Sequence, residues 1–181
     1  MTLRIGLLAT LRLLRAPSAA IGAAILALLL GAAATAGWLY PDDPLEMVGA
    51  PFTWPGSDAE FPAGTDLMGR DILAGLFHGA RVSLLVGGAS AAIALGIGLL
   101  VGAVAGYAGP RTDAVLMRVT ELFQTVPSFL LAIVLVAILG PSLSTIIFAL
   151  GVTSWTGIAR LTRGEFCLLY TSPSPRDLST S

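Results

Sequence analysis

Two long stretches without a charged side chain limit the folds open to this chain. Residues 17–40 and 82–109 contain no Asp, Glu, Lys or Arg. An α-helix of about 20 apolar residues crosses the roughly 30 Å hydrocarbon layer of a bilayer. Over the whole chain 55% of residues are hydrophobic and 12% are charged, whereas about a quarter of the residues of a soluble domain are charged. The sequence therefore predicts an all-α integral membrane protein.

The first of these stretches follows a basic arm. Residues 1–16 contain three arginines and no acidic residue. Residues 17–40 then predict a transmembrane helix that ends in Trp38 and Tyr40, and such aromatic residues favour the membrane interface. A cleaved signal peptide is the alternative, but the apolar stretch is long for one and the residues near Tyr40 form a poor cleavage site. An uncleaved anchor is therefore favoured.

Residues 41–81 predict a loop outside the cytoplasm that contains a short helix at the membrane surface. Five prolines between residues 41 and 65 oppose a regular helix. From Asp66 onwards apolar residues recur at helical spacing. Thr65 or Asp66 is expected to cap this helix, because both side chains accept hydrogen bonds from free N–H groups.

Residues 82–165 predict a membrane domain with three further spans. These spans are 82–109, about 113–139 and about 143–158. Pro127 lies within the second of them and is expected to kink it, because proline cannot donate a backbone hydrogen bond. If the N terminus is cytoplasmic, the arginines of the basic arm, Arg111, Arg160 and Arg163 all lie on the cytoplasmic side, as the positive-inside rule requires.

Small residues are frequent in the span 82–109. Gly98, Gly102 and Gly106 are four residues apart, which places them on one helix face. Small faces let two helices approach closely in lipid, so we expect these glycines to be packing or hinge positions. The alternative is that small residues are simply common in membrane helices.

The residue inventory argues against several function classes. A net charge of −1 argues against nucleic-acid binding. One cysteine, Cys167, and one histidine, His78, leave no basis for a catalytic, cofactor or metal site. No ionisable side chain is expected at mid-bilayer depth and no nucleotide-binding motif occurs, so energy for transport would come from a partner. A membrane anchor or scaffold that packs through its glycines is the alternative function.

Three segments resemble one family. They are FPAGTDLMGRDILAGLFHGARVSLLVG, GYAGPRTDAVLMRVTELFQTVPSFLLAIVLVAILGPSL and GVTSWTGIARLTRGE. In this order they resemble the dipeptide, oligopeptide and nickel type of ABC importer permeases, in the C-type subunit. The resemblance implies a type I importer fold, with four of about six spans present here. It implies location in a bacterial or archaeal plasma membrane.

The resemblance also implies partners and no enzymatic activity in this chain. The expected partners are a second permease subunit, two cytoplasmic subunits that hydrolyse ATP, and an extracytoplasmic solute-binding protein. An outer-face motif is expected at Gly64, Thr65, Asp66, Gly69, Arg70, Asp71 and Arg81. The approach to the loop that docks on the ATPase is expected at Arg160, Arg163, Gly164 and Glu165. Polar residues that could line a pathway are Thr125, Ser128, Thr153 and Ser154.

The charged residues of the outer-face motif have two interpretations. One is a local contact between Arg70 and Asp66 or Asp71 that fixes how the chain re-enters the membrane. The other is docking of the solute-binding protein.

Residues 166–181 depart from the family pattern. The run CLLYTSPSPRD, residues 167–177, matches a translated transposase-type sequencing adapter. We therefore expect a non-native tail on a truncated, inactive fragment. A disordered Ser/Pro-rich terminus is the alternative.

Overall fold

The structure, a computed structural model, describes residues 16–171. In this range the chain forms five helices: α1 (Pro17–Leu39), α2 (Ile72–Tyr107), α3 (Pro110–Thr125), α4 (Ser128–Leu139) and α5 (Leu143–Thr171). One isolated antiparallel bridge joins Thr65 to Asp71 in the described chain. The predicted all-α class is confirmed. The predicted basic arm up to residue 15, and residues 172–181 of the predicted tail, lie outside the described range.

The chain divides into two compact units. The first unit ends at Leu85 and the second begins at Val86, so the division falls inside α2. The first unit contains α1, the connecting loop and the start of α2. The second contains the remainder of α2 with α3, α4 and α5.

Three helices are long and apolar enough to cross a membrane within the described residues. They are Pro17–Leu39, Ile72–Tyr107 and Leu143–Leu168. Helices α3 and α4 also qualify together, but they are bent by 80° at the break between them. The four predicted spans therefore correspond to three continuous helices and one broken pair.

The start of α2 differs from the prediction of a separate surface helix. Residues 66–70 form a turn in which Gly69 has φ +75°, and the helix begins only at Ile72. Asp71, rather than Thr65 or Asp66, caps it, since its Oδ1 accepts the Leu73 N–H at 2.8 Å. From Ile72 the helix continues through residues 81 and 82 without a break, because no proline interrupts it.

Contacts within the first unit join the end of α1 to the start of α2. The rings of Tyr40 and Phe77 meet edge to face with centroids 5.2 Å apart. Nε2 of His78 lies 2.9 Å from the carbonyl oxygen of Tyr40, where α1 ends. Arg81 Nη1 lies over Gly37, at 3.7 Å from the position that a Cβ there would occupy. These contacts fix how the two helices leave the loop.

Pro127 breaks the third predicted span, where only a kink was expected. Helix α3 ends at Thr125, and Val126 has an extended backbone with φ −87° and ψ 125°. A residue before proline is sterically pushed out of the helical region, and proline itself supplies no N–H. The chain therefore turns by 80° before α4 begins at Ser128.

Helix α5 also runs further than predicted. We expected the fourth span to end near Ile158 and Arg160, but the helix continues to Thr171. No proline interrupts residues 158–171, and arginine and glutamate are good helix formers. Residues 166–171 of the predicted tail are thus helical, and their non-native origin remains a prediction.

Candidate functional site

The predicted glycine face packs against α5 in the second unit. A Cβ on Gly98 would lie 2.6 Å from Ile158 Cβ, and one on Gly102 would lie 2.5 Å from the Ala159 carbonyl oxygen. A Cβ on Gly106 would lie 2.6 Å from Phe166 Cβ. Side chains at these three positions would therefore overlap α5. The spacing of four residues keeps all three glycines on the face that α5 occupies.

The same contact continues toward the start of α5, where the roles of the helices are reversed. Here α5 supplies the glycine: a Cβ on Gly151 would lie 2.7 Å from Ile93 Cβ. The Ser90 hydroxyl donates to the Ile147 carbonyl oxygen at 3.1 Å. We call this α2–α5 contact the glycine seam. Gly151 is not among the predicted packing glycines, which all lie on α2.

An ion pair ties α3 to α5. The Arg163 guanidinium donates through Nε to Asp113 Oδ1 at 2.6 Å and through Nη2 to Asp113 Oδ2 at 2.5 Å. The side chains of Arg163 and Asp113 are 39% and 22% exposed. A bidentate arginine–carboxylate contact fixes orientation as well as distance. Arg163 was predicted as a site residue but Asp113 was not, because the local signal for Asp113 is limited to its position in the first turn of a helix.

A charged cleft surrounds this pair. It has a volume of about 480 Å³ and is lined by Asp113, Ala114, Met117, Arg118, Glu121, Arg160 and Arg163. Arg118 forms a separate exposed pair with Glu121 at 3.0 Å. Gly164 has open space at its Cβ position, and Glu165 is exposed. Of the four residues predicted to approach the docking loop, Arg160 and Arg163 share this cleft.

The break at Pro127 opens a second, uncharged cleft. Its volume is about 320 Å³, and its lining comes from the end of α3, the start of α4 and the middle of α5. Ser128, Thr153 and Ser154, three of the four residues predicted to line a pathway, lie in it. The fourth, Thr125, donates its hydroxyl to the Leu122 carbonyl oxygen at 2.7 Å. We call this space the polar cleft.

The outer-face motif folds into a hydrogen-bonded loop in the first unit. The Thr65 hydroxyl accepts the Thr53 N–H at 3.0 Å and donates to the Ala50 carbonyl oxygen at 2.5 Å. Val48 and Gly49 donate their N–H groups to the Gly69 carbonyl oxygen. Thr65 is 4% exposed, so it is a structural residue at the centre of the loop.

The predicted contact between Arg70 and Asp66 exists, but it is made through the main chain. Asp66 Oδ1 accepts the N–H groups of Arg70 at 3.0 Å and Met68 at 2.7 Å. The hydrogen bond from the Arg70 N–H holds the pKa of the Asp66 carboxyl below its usual value. Both Asp66 and Asp71 therefore use their carboxylates to shape the chain. Arg70 Nε is buried and without a hydrogen-bond partner in the described residues.

Two glycines of the motif require the left-handed backbone region. Gly64 has φ +79° and Gly69 has φ +75°. A Cβ on Gly64 would overlap the Thr53 carbonyl oxygen, and one on Gly69 would overlap the Gly49 carbonyl oxygen. Any other residue would both strain the backbone and displace a carbonyl group.

One known family and several known proteins match parts of this chain. Residues 98–167 match the family described as "Binding-protein-dependent transport system inner membrane component". The chain is 40% identical over 147 residues to the di/tripeptide transport system permease protein DppC of Pseudomonas aeruginosa, covering 78% of this chain and 48% of that protein. It is 36% identical over 158 residues to the oligopeptide transport system permease protein OppC of Haemophilus influenzae, covering 85% of this chain and 50% of that protein.

A third relative is named for a different substrate. The nickel transport system permease protein NikC of Escherichia coli is 37% identical over 139 residues, covering 77% of this chain and 50% of that protein. The chain thus spans about half the length of these three relatives.

The loop geometry gives a first prediction, for Gly69→Ala with Gly56→Ala as its matched control. Both glycines have positive φ, but only Gly69 has a carbonyl group where the Cβ would lie. The Gly56 change should cost about 1 kcal/mol from backbone strain alone. The Gly69 change should cost more and should speed hydrogen exchange at the amides of Val48 and Gly49. Equal effects of the two changes would contradict the proposed packing.

The glycine seam gives a second prediction, for Gly102→Ala with Gly96→Ala as the control. Both lie in α2, and no atom lies within 4 Å of a Cβ on Gly96. Overpacking should lower the free energy of unfolding of the Gly102 variant by about 1–3 kcal/mol. The Gly96 variant should be unchanged or stabilised by up to about 1 kcal/mol. Thermal unfolding in detergent measures both, and a stable Gly102 variant would refute the seam.

The ion pair gives a third prediction, for Asp113→Asn with Glu121→Gln as the control. Loss of the half-buried bidentate contact should cost about 1–3 kcal/mol of unfolding free energy. Loss of the exposed Arg118–Glu121 pair should cost less than about 1 kcal/mol. Reciprocal exchange, Asp113→Arg with Arg163→Asp, should recover part of the stability. If the double variant instead loses as much stability as Asp113→Arg and Arg163→Asp lose separately and added together, the two residues are not directly coupled.

Proposed function

We propose that the chain is a binding-protein-dependent transport system inner membrane component, the family that residues 98–167 match, and that it acts in an ATP-driven importer, which its similarity to peptide and nickel permeases supports. In this role it is a permease subunit that forms part of a pathway for peptides or related solutes such as nickel chelates. The observation that carries the proposal is that the matched residues 98–167 contain the helix break, the ion pair and most of the glycine seam.

The seam supports movement of packed helices as the mechanical basis of transport. Gly98 and Gly102 present no side chain of their own to α5 and let its backbone approach closely, so we expect α2 to offer little steric resistance to small rigid-body shifts. The Asp113–Arg163 pair connects α3 to the same part of α5. A displacement of α5 would therefore be transmitted to both neighbouring helices.

The same seam argues against the alternative of a membrane scaffold. A scaffold that binds another protein through its glycine face must leave that face open. Here Gly98 and Gly102 are buried against α5 of the same chain. Their packing surface is already occupied.

The expected partners follow from this role. Two cytoplasmic ATPase subunits would supply the energy, and a second permease subunit would complete the pathway. A solute-binding protein would deliver substrate on the outer side. Asp66 and Asp71 hold the loop in shape through their backbone contacts, which supports a positioning role for them rather than direct docking.

The proposed location is the plasma membrane of a bacterium or archaeon, with the N terminus in the cytoplasm. Three apolar helices and one broken pair support a multi-pass protein. The arginines at residues 4, 12, 15, 111, 160 and 163 support the orientation.

Transport by the reconstituted full-length parent permease tests the proposal. Proteoliposomes with the two ATPases, the second permease and the binding protein should take up labelled di- and tripeptides or nickel chelate only when ATP is present. Gly102→Leu should reduce uptake at least about tenfold through overpacking of the seam, while Gly96→Leu should retain most of it. Membrane insertion should be unaffected in both variants. Absence of ATP-dependent uptake of every solute tested would overturn the proposal.

A further inference from the structure

The polar cleft contains hydrogen-bonding groups but no ionisable side chain. Its lining residues are Phe123, Gln124, Val126, Pro127, Ser128, Leu131, Thr153, Ser154, Thr156 and Gly157. Hydroxyl and carboxamide groups both donate and accept hydrogen bonds. The cleft can therefore bind neutral groups that donate or accept hydrogen bonds, whereas it offers no opposite charge to an ion.

Thr156 is a mostly buried residue of this cleft with a hydroxyl group that is unbonded within the described residues. It is 8% exposed, yet across residues 16–171 its hydroxyl makes no hydrogen bond. The hydroxyl of a helical threonine can bond a carbonyl oxygen of the preceding turn. Two other threonines here do so: Thr120 donates to Leu116 at 2.8 Å and Thr153 to Leu150 at 3.2 Å. The Thr156 hydroxyl is instead left open to the cleft.

Three further polar side chains line the cleft. Gln124, Ser128 and Ser154 are exposed, unlike Thr156, and they also have no side-chain hydrogen bond within the described part of the chain. They come from three different helices, α3, α4 and α5. Their convergence on one space of about 320 Å³ therefore depends on the turn at Pro127.

The helix break adds backbone groups to the same place. The first N–H groups of a helix and its last carbonyl groups have no partners within the helix. At this break the end of α3 and the start of α4 are separated only by Val126 and Pro127. In membrane proteins such interrupted helices occur where they line a cavity that satisfies the freed groups.

From these observations we infer that the polar cleft is a contact site for the main-chain amide groups of a peptide in transit. A peptide unit carries one donor and one acceptor, which the unpaired hydroxyl and carboxamide groups complement. Recognition of the main chain is independent of the peptide's side chains. The inference rests on the proposed transport function and assigns Thr156 as a specificity-determining residue within it.

Uptake of trialanine by the reconstituted parent importer tests the inference, with Thr156→Val as the variant. Valine has nearly the shape of threonine and removes only the hydroxyl. The change should reduce trialanine uptake about fivefold, as expected for one lost hydrogen bond. Thr156→Ser should restore uptake to near the parental rate. Thr120→Val is the matched control and should have little effect, since Thr120 lies outside the cleft and its hydroxyl is bonded to Leu116.

A second substrate separates amide recognition from general damage to the protein. Trialanine with its central nitrogen methylated lacks one amide donor. The parent should favour trialanine over this analogue, and Thr156→Val should reduce that preference because the hydroxyl partner is gone. The same binding protein delivers substrate to the parent and to the Thr156→Val variant. A change in the ratio of trialanine uptake to analogue uptake between these two permeases therefore reports on the cleft.

The outcomes distinguish this inference from the proposed function. If the parent imports trialanine and Thr156→Val imports it equally fast, the inference is wrong and the transport function stands. An unchanged preference for trialanine over its methylated analogue in that variant also overturns the inference. If the parent imports nickel chelate but no peptide, the inference is wrong and the transport function stands. Absence of all uptake overturns both the inference and the proposed function.

Discussion

Inside a bilayer a backbone amide finds no water, so nearly every N–H and C=O must be bonded within its own helix. Helices α1, α2 and α5 meet this constraint along uninterrupted runs that are long enough to cross. The break at Pro127 is the exception in the second unit, because it frees backbone groups at the ends of α3 and α4. The polar side chains of the cleft gather at that same point. The constraint thus explains both the helical runs and the location of the cleft.

Packing between the helices depends on a different force. Lipid chains are as apolar as leucine, so burial of apolar surface does little to hold membrane helices together. Contact must come from close approach of backbones and from polar contacts between helices. The glycine seam supplies the first, and the Ser90 hydroxyl and the Asp113–Arg163 pair supply the second. An interface of this kind holds the helices together through close packing and polar contacts.

Local sequence patterns predicted some features of the fold better than others. The spacing of Gly98, Gly102 and Gly106 identified a face that the structure packs against α5. The helix starting at Asp66 was wrong, since Asp66 bonds the N–H groups of a turn and Asp71 caps the helix instead. Helical spacing alone did not reveal this, because the same polar residues serve turns and caps equally well.

The sequence by itself determined where the chain can span a membrane, where proline interrupts a span and which glycines share a face. These features depend on residues close together in the chain. Only the tertiary structure decided that Arg163 meets Asp113, 50 positions away, and that Thr156 opens into a cleft beside Pro127. The physical reason is that such contacts depend on which helices pack together, and a helix apolar on all sides, as α4 is between α3 and α5, does not specify its rotation or its neighbour. Those choices are made by packing between helices.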